Sequence, residues 1–430
     1  MRRIEEATAP LRGELQMPGD KSISHRAVIF ASVAEGESRI TNFPGGEDNQ
    51  RTVQAFRDLG VLIAREDGAL RVEGRGWEAL RAAARTIDCG NSGTTMRLLA
   101  GVLAGRPFAS VLDGDDSLRR RPMRRIIEPL GQMGAEIESA RGDGLAPLKI
   151  RGGKLRGISY RMPIASAQVK SSILLAGMQA SGTTLVTEPQ RSRDHTEIMA
   201  RAFGAELETR GLSVAVKGGA RLAARAVAVP GDLSAAAFFL VAAALVPSSE
   251  LVLKEVGCNP TRAGIIELLK RMGAKIELAP RGDPGAEPVA DLRIRAAELR
   301  GIEIGADMVA RTIDEYPILF VAAALASGVT TVSGAKELRY KESDRIAVMA
   351  EALRELGVRV EEREDGLRIE GARRLRGARL KTYGDHRVAM ALAVAGLCAS
   401  GGVELDDDRC ADISFPGFFD LLSQIRGERR

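Results

Sequence analysis

Six short polar segments in the chain each stand directly before an apolar, alanine-rich run. The segments read GDKSISHR, DCGNSGTTMR, SAQVKSS, PGDLSAA, TIDEYP and YGDHR. If the apolar runs are helices, the free N–H groups and positive dipole ends at their N-termini favour bound anions. The added cations Lys21, Arg26 and Arg97 suit phosphates and carboxylates. Because Ser, Asp and Asn also cap helices without any ligand, one segment alone does not distinguish an anion site from a cap.

Two further segments are unusually rich in charge. They read GDDSLRRRP over residues 114–122 and RYKESDR over residues 339–345. A solvated surface loop is the common explanation for such runs. Neither segment indicates a function by itself.

The apolar runs that follow the polar segments form a repeat. They read AVIFASVAEG, MRLLAGVLAG, SSILLAGMQASG, AAFFLVAAALV, ILFVAAALASG and VAMALAVAGLCASG, at a spacing of roughly 70 residues. Runs that are apolar on nearly every face predict helices buried at a domain centre. We expect these helices to begin near Ser22, Ser92, Ser166, Leu233, Asp314 and Asp385.

A second recurring pattern is an amphipathic helix that runs into glycine and then a charged strand. Five copies read FRDLGVLIARE, LGQMGAEIESA, ARAFGAELETR, LKRMGAKIELA and LRELGVRVEER. The sixth is predicted to be split between the chain ends, with its helix in residues 418–427 and its strand near the N-terminus. Strands with one inner and one outer helix per unit predict an α/β fold.

The tripeptide Pro18-Gly19-Asp20 reappears as Pro230-Gly231-Asp232, before the first and fourth buried helices. This repetition predicts that the chain consists of two equivalent halves, each of three units. We expect one domain over residues 21–230 and a second over residues 1–20 plus 231–430, with the ligand site in the cleft that separates them.

Composition narrows the class of protein. The chain has 430 residues, a net charge of +5 and only 4% aromatic residues, which leaves few stacking platforms for nucleic acid and favours small anions as partners. No apolar run is long enough to span a bilayer, and the first residues do not resemble a signal peptide. Four cysteines without a metal-ligand or disulfide spacing fit a reducing cytoplasm. Three dispersed histidines predict no metal site, and no phosphate-loop or dinucleotide motif is present.

In this order, the fragments GDKSISHRA, GNSGTTMR, RRRP, SAQVKSS, IDEYP, KESDR, GDHR and SFPGF resemble the EPSP synthases (5-enolpyruvylshikimate-3-phosphate synthases) over essentially the whole chain. The resemblance implies transfer of the enolpyruvyl group of phosphoenolpyruvate to the 5-hydroxyl of shikimate 3-phosphate, in aromatic amino-acid (chorismate) biosynthesis. It also implies two domains, each of three strand-helix units around buried parallel helices. No cofactor is implied, and we expect a monomer.

The resemblance assigns binding residues motif by motif. For shikimate 3-phosphate they are Lys21, Ser22, Arg26, Ser166, Gln168, Arg193, Asp314 and Lys341. For phosphoenolpyruvate they are Lys21, Gly93, Arg121, Gln168, Arg345 and Arg387. Arginine's planar fork suits phosphate and carboxylate, and a glycine allows close backbone approach to a ligand. Arg97 is expected to be structural.

For catalysis, Asp314 and Glu342 match the two carboxylates of the family. Asp314 is predicted to take the proton of the attacking hydroxyl, and Glu342 to deliver a proton to the methylene carbon, with Lys21 as an alternative acid.

The chain also departs from the family pattern. Ile413 stands where some members have lysine before the terminal Ser/Thr-Phe-Pro. SAQVK, RDHTE and NPTR resemble the class II branch, which includes members tolerant of glyphosate, an inhibitor that targets this family. Tolerant members can carry alanine at the position of Gly93, so the sequence leaves glyphosate sensitivity open.

Two other functions remain as alternatives. One is the related transfer to UDP-N-acetylglucosamine, whose enzymes usually carry a reactive cysteine before Arg-Pro, whereas residues 113–122 contain none. The other is a non-catalytic binder of RNA or acidic polymers, which would explain the arginines but not Asp314 and Glu342 among cations.

Overall fold

The computed structural model describes residues 1–282 and 286–427. Its first elements are β1 (Arg2–Ile4), β2 (Arg12–Gln16), α1 (Lys21–Val33), β3 (Glu35–Thr41), α2 (Glu47–Asp58), β4 (Leu62–Glu66) and β5 (Ala69–Arg75). Next come β6 (Ile87–Asp88), α3 (Gly93–Leu103), β7 (Ala109–Asp113), α4 (Arg124–Met133), β8 (Glu136–Ser139) and β9 (Leu148–Arg151). They are followed by β10 (Ser159–Arg161), α5 (Ala167–Gly177), β11 (Thr183–Thr187), α6 (His195–Ala202), β12 (Leu207–Arg210), β13 (Ser213–Lys217) and β14 (Val227–Ala228).

The chain continues with α7 (Leu233–Leu245), β15 (Glu250–Gly257), α8 (Gly264–Arg271), β16 (Lys275–Arg281) and β17 (Val289–Arg295). Then follow β18 (Glu303–Ile304), α9 (Val309–Thr312), α10 (Tyr316–Ala324), β19 (Val329–Val332), α11 (Arg345–Glu355), β20 (Arg359–Arg363) and β21 (Gly366–Glu370). The last elements are β22 (Leu375–Leu380), α12 (His386–Leu397), β23 (Ala399–Leu405) and α13 (Phe418–Ile425). Within the ranges described, no helix is both long and apolar enough to cross a membrane.

The chain packs as two compact units. The continuous unit is Gly19–Val229, and the discontinuous unit joins Met1–Pro18 to the chain from Pro230 onward. The two boundaries between the units lie at the Pro-Gly sequences, one between Pro18 and Gly19 and the other between Val229 and Pro230.

Each unit contains three small sheets with one shared pattern. Those of the continuous unit run β14-β3-β5-β4, β6-β7-β9-β8 and β10-β11-β13-β12. Those of the discontinuous unit run β16-β17-β15-β2, β18-β19-β21-β20 and β1-β23-β22. In the four-stranded sheets a parallel pair is extended by two antiparallel strands, as in β6-β7-β9-β8. The six strand-helix units and the α/β fold predicted from sequence are confirmed.

The sixth unit is assembled from both chain ends, as the repeat pattern predicted. Strand β1 pairs antiparallel with β23, with Arg2 opposite Leu405, and helix α13 lies at the other end of the chain. The N-terminal residues therefore complete a sheet whose other strands lie near the C-terminus.

The six inner helices α1, α3, α5, α7, α10 and α12 begin within two residues of the predicted starts. Every residue of α7 from Leu233 to Ala244 is buried, and Phe239 packs against Phe415 with ring centroids 6.1 Å apart. The outer helix α8 instead buries Ile265, Ile266, Leu268 and Leu269, whereas its charged residues face solvent. These two burial patterns follow from their sequences, one apolar on all faces and one amphipathic.

Side-chain caps fix where most of the inner helices begin. The Asp20, Ser92 and Ser166 side chains accept from backbone N–H groups in the first turns of α1, α3 and α5. Asp232 and Asp385 do the same for α7 and α12. Helix α10 has no such cap and instead has a proline in its first turn. Capping thus accounts for these Ser and Asp residues, while the neighbouring cations need a separate explanation.

Helices α3 and α5 pack so closely that only glycine fits at one contact. A Cβ built on Gly101 would lie 2.2 Å from the carbonyl oxygen of Ser172. Because that atom belongs to a helix backbone, it cannot move aside without shifting α5, and α5 also carries Ser166 and Gln168. The spacing of the two helices therefore depends on Gly101.

We predict that Gly101→Ala lowers the free energy of unfolding by about 1–3 kcal/mol, because the methyl group overpacks the contact. Urea unfolding followed by circular dichroism measures this. Gly131→Ala is the matched control, since a Cβ there has nothing within 4 Å and alanine should stabilise α4 by about 0.5–1 kcal/mol. Equal midpoints for wild type and Gly101→Ala would show that this close contact is not needed for stability.

Candidate active site

In the continuous unit, the residues predicted to bind shikimate 3-phosphate lie at the starts of α1, α5 and α6. Lys21 is the first residue of α1, and its Nζ lies 2.9 Å from Asp48 Oδ2 in the first turn of α2. Ser22 follows it, and its hydroxyl accepts a hydrogen bond from Arg193 Nη1 at 3.4 Å. Lys21 is 16% exposed, so its ammonium remains accessible to a ligand.

Arg26 is buried and its guanidinium makes several contacts. Its Nε donates to Thr196 Oγ1 at 2.7 Å, its Nη2 to Ser171 Oγ at 2.8 Å and its Nη1 to the Ser22 carbonyl at 2.8 Å. These bonds join α1 to α5 and α6. Arg26 therefore fixes Ser22 relative to its neighbours, and direct contact with substrate stays a prediction.

Gly93 and Arg121, predicted to bind phosphoenolpyruvate, are neighbours in the continuous unit. Gly93 opens α3, and a Cβ there would lie 3.5 Å from Arg121 Nη1 and 3.0 Å from Arg97 Nη1. Arg121 follows the 3₁₀ turn Leu118–Arg120 and donates to Asn91 Oδ1 at 2.6 Å. The bare backbone of Gly93 thus leaves room beside a guanidinium that Asn91 orients.

Gln168 connects the two helices of this region. Its Nε2 donates to Thr94 Oγ1 at 2.9 Å, and its Oε1 accepts from Arg97 Nη1. Arg97 also donates to the Pro122 carbonyl at 3.3 Å, in accordance with the structural role expected for it. Ser166 caps α5, and its hydroxyl hydrogen is still able to donate to a ligand.

In the discontinuous unit, the predicted residues gather around Arg345, which opens α11 and is 1% exposed. Its Nε and Nη2 donate to the two oxygens of Asp385 at 2.9 and 3.2 Å, and Nη2 also donates to Glu342 Oε2 at 2.7 Å. Asp385 is fully buried and caps α12. Although burial opposes its ionisation, the Arg345 guanidinium lowers the pKa of Asp385, so this aspartate remains charged.

Asp314 lies between two arginines of the same unit. Its Oδ1 is 3.9 Å from Arg345 Nη1 and 4.0 Å from Arg387 Nε. Nη1 of Arg345 is buried and has no hydrogen-bond partner among the described residues. Asp385 and Glu342 occupy the other donors of Arg345, and the ion-pair contact of this nitrogen is with Asp314.

Two predicted positions remain at the edge of this group. Lys341, next to Glu342 in sequence, ends the 3₁₀ segment Lys336–Tyr340 and is partly buried. Ile413 ends the 3₁₀ segment Arg409–Ile413 and supplies no charge where some family members have lysine.

The sequence analysis did not assign Asp48, Asn91 or Asp385 to the site, although each contacts a predicted binding residue. Asp385 stands inside the motif GDHR and Asn91 inside GNSGTTMR, so their motifs contained a signal. No sequence motif pointed to Asp48, because its contact with Lys21 arises only when α2 packs on α1. Among residues 1–282 and 286–427, no three or more His, Cys, Asp and Glu side chains are placed to hold a metal ion.

Comparison with known proteins identifies the family of this chain. The family model described as EPSP synthase (3-phosphoshikimate 1-carboxyvinyltransferase) matches residues 5–422. The 3-phosphoshikimate 1-carboxyvinyltransferase of Halorhodospira halophila is 55% identical over 417 residues, covering 96% of this chain and 94% of the relative. The 3-phosphoshikimate 1-carboxyvinyltransferase of Desulforudis audaxviator is 53% identical over 419 residues, covering 97% of this chain and 98% of the relative.

Among solved structures, EPSP synthase from Acinetobacter baumannii superposes with a TM-score of 0.88 at 45% identity, over 98% of this chain and 97% of that one. The enolpyruvyl transferase NikO from Streptomyces tendae, at 20% identity, shares the fold with a TM-score of 0.79 over 98% of this chain and 96% of its own. With a family model spanning nearly all of its length and relatives identical at more than half of their aligned positions, the chain belongs to the EPSP synthase (3-phosphoshikimate 1-carboxyvinyltransferase) family.

Proposed function

We propose that this chain is a 3-phosphoshikimate 1-carboxyvinyltransferase, which transfers the enolpyruvyl group of phosphoenolpyruvate to the 5-hydroxyl of shikimate 3-phosphate and releases phosphate. The observation that carries the proposal is the contact of Arg345 with both predicted catalytic carboxylates. Glu342 is hydrogen-bonded to it, and Asp314 lies 3.9 Å from Nη1, which has no hydrogen-bond partner among the described residues. An anion bound at that nitrogen would be held next to the two groups that move protons.

The proposed binding residues are those assigned by the motifs. For shikimate 3-phosphate they are Lys21, Ser22, Arg26, Ser166, Gln168, Arg193, Asp314 and Lys341, and Arg26 also fixes Ser22 relative to α5 and α6. Phosphoenolpyruvate is bound by Lys21, Gly93, Arg121, Gln168, Arg345 and Arg387. Arg121 and Arg345 each have donors fixed by a neighbouring side chain, so they need little reordering when the anion binds.

In the reaction, Asp314 removes the proton of the 5-hydroxyl while the oxygen of that hydroxyl forms a bond to C2 of phosphoenolpyruvate. Glu342 delivers a proton to the methylene carbon, which becomes a methyl group, and a tetrahedral ketal phosphate results. Glu342 then takes back one methyl proton and the double bond re-forms, while the C2–O bond to phosphate breaks and Asp314 gives its proton to the departing phosphate. Arg345 and Arg387 stabilise the negative charge carried by carboxylate and phosphate during both steps.

The alternatives account for fewer observations. A UDP-sugar acceptor would be expected with a cysteine in residues 113–122, and none is present. A polymer binder would present its cations to solvent, whereas Arg345 and Arg387 are 1% and 5% exposed and face Asp314. We therefore propose small-molecule substrates only, a cytoplasmic location that suits four unpaired cysteines, and action as a monomer.

The proposal predicts phosphate release that requires both substrates and the base. Asp314→Asn keeps the volume of the side chain but cannot accept the hydroxyl proton, so kcat should fall by about 10²–10⁴-fold. A coupled phosphate assay with purified protein measures this, with each substrate omitted in turn. Asp420→Asn, an exposed aspartate on α13, is the control. Wild-type turnover in Asp314→Asn would exclude this residue as the base.

The identity of the acid is tested by Glu342→Gln against Lys21→Met. Glutamine still accepts a hydrogen bond from Arg345 but has no proton to give, so kcat should fall by about 10²-fold with little change in the KM for shikimate 3-phosphate. In D₂O, deuterium entry into the methylene group of the product should slow in parallel. If only Lys21→Met slows deuterium entry, Lys21 and not Glu342 is the acid.

A further inference from the structure

One lysine and two glutamates are enclosed together in the continuous unit, outside the residues assigned to substrate. Lys170 lies on α5, Glu188 directly follows β11 and Glu197 lies on α6. Lys170 Nζ is 2.8 Å from Glu188 Oε2 and 2.7 Å from Glu197 Oε1, and the three side chains are 1%, 3% and 2% exposed. Two ionised glutamates would leave an uncompensated negative charge away from water, which is strongly unfavourable.

The two glutamates have different surroundings. Both oxygens of Glu188 accept hydrogen bonds, Oε1 from the Ser192 hydroxyl and Oε2 from Lys170 and the Ser192 N–H. By contrast, Oε2 of Glu197 is buried with no hydrogen-bond partner in the described chain. Burial raises the pKa of Glu197 despite Lys170, and the charge of Asp194 acts in the same direction. Burial therefore favours the protonated form of Glu197, and Glu188 is the more completely hydrogen-bonded of the two side chains.

The ion pair attaches a predicted binding segment to the helix beside it. Residues 188–194 run from Glu188 to the start of α6 and include Arg193, which donates to Ser22 Oγ. Helix α5, which carries Lys170, also carries Ser166 and Gln168 at its start. Lys170 with Glu188 thus joins Arg193 to the other residues predicted to bind shikimate 3-phosphate.

We propose that Lys170, through its ion pair with Glu188, is a positioning residue that holds segment 188–194 so that Arg193 reaches shikimate 3-phosphate. The inference rests on the proposed function. Lys170 is 1% exposed and acts through Glu188, and Glu197 contributes volume and one acceptor oxygen. The cluster should therefore affect the binding of shikimate 3-phosphate and leave that of phosphoenolpyruvate unchanged.

The sharpest test is the double variant Lys170→Met/Glu188→Gln. It removes the ion pair without leaving a buried charge, so its urea midpoint should stay close to wild type. Because Arg193 loses its fixed position, the KM for shikimate 3-phosphate should rise about tenfold or more, as expected for losing a hydrogen bond to a charged group. The KM for phosphoenolpyruvate and kcat should remain within about twofold.

Two further variants separate the roles inside the cluster. Glu197→Gln keeps the volume and one acceptor oxygen of the side chain and leaves the Lys170–Glu188 ion pair in place, so both KM values should match wild type. Lys170→Met alone leaves the Glu188 charge unpaired, so it should lower the urea midpoint as well as raise the KM for shikimate 3-phosphate. Lys254→Met is the matched control, because it removes an ion pair with Asp291 in another sheet, where Arg281 still contacts that aspartate at 2.8 Å.

The outcomes distinguish this inference from the proposed function. No phosphate release by wild type with both substrates would refute the function itself. With an active wild type, an unchanged KM for shikimate 3-phosphate in the double variant would overturn the positioning role. A parallel rise in the KM values for both substrates would also overturn it, because it would indicate general damage. A rise in Glu197→Gln as large as in the double variant would show that Glu197, and not Glu188, carries the charge.

Discussion

Burial of the six inner helices on all their faces is the constraint on which the rest of this structure depends. A helix such as α7, enclosed from Leu233 to Ala244, has no lateral surface to offer a ligand. Only the two ends of such a helix are available to a ligand. The N-terminal end carries backbone N–H groups without partners inside the helix and the positive end of the helix dipole. The proposed anion-binding residues accordingly lie in the few positions before and after each helix start, where the fold places Lys21, Gly93, Ser166 and Arg387.

Burying a cation near these helix starts requires compensation in the same location. Arg345 is held by Asp385 and Glu342, and Arg26 by hydroxyl and carbonyl groups of three neighbouring residues. Lys170 is compensated by the carboxyl groups of Glu188 and Glu197. Each buried cation is thus oriented by the group that neutralises or solvates it, and those partners determine which donors remain for a substrate. At Arg345, Nη1 is left beside Asp314.

Much of the fold was predictable because its signals are local and repeated. Apolar runs at regular spacing indicated the six inner helices, and the pattern of amphipathic helix, glycine and charged strand indicated five outer ones. Because only five copies of the outer-helix pattern were visible, the sixth unit was predicted to be split between the chain ends. The pairing of β1 with β23 confirmed this prediction. The cap residues were also readable, since Ser92, Ser166 and Asp385 each precede a helix by one position.

The sequence by itself determined the family, the repeat and the identity of the candidate groups, because these depend on residue types and on spacings along the chain. Tertiary structure alone decided which groups meet. Asp48 reaches Lys21, Asp385 holds two donors of Arg345, and Glu188 and Glu197 share Lys170. These contacts join side chains on different elements, and their geometry depends on how helices pack side by side. No periodicity along one chain records that packing, because it is set by the summed fit of many buried side chains.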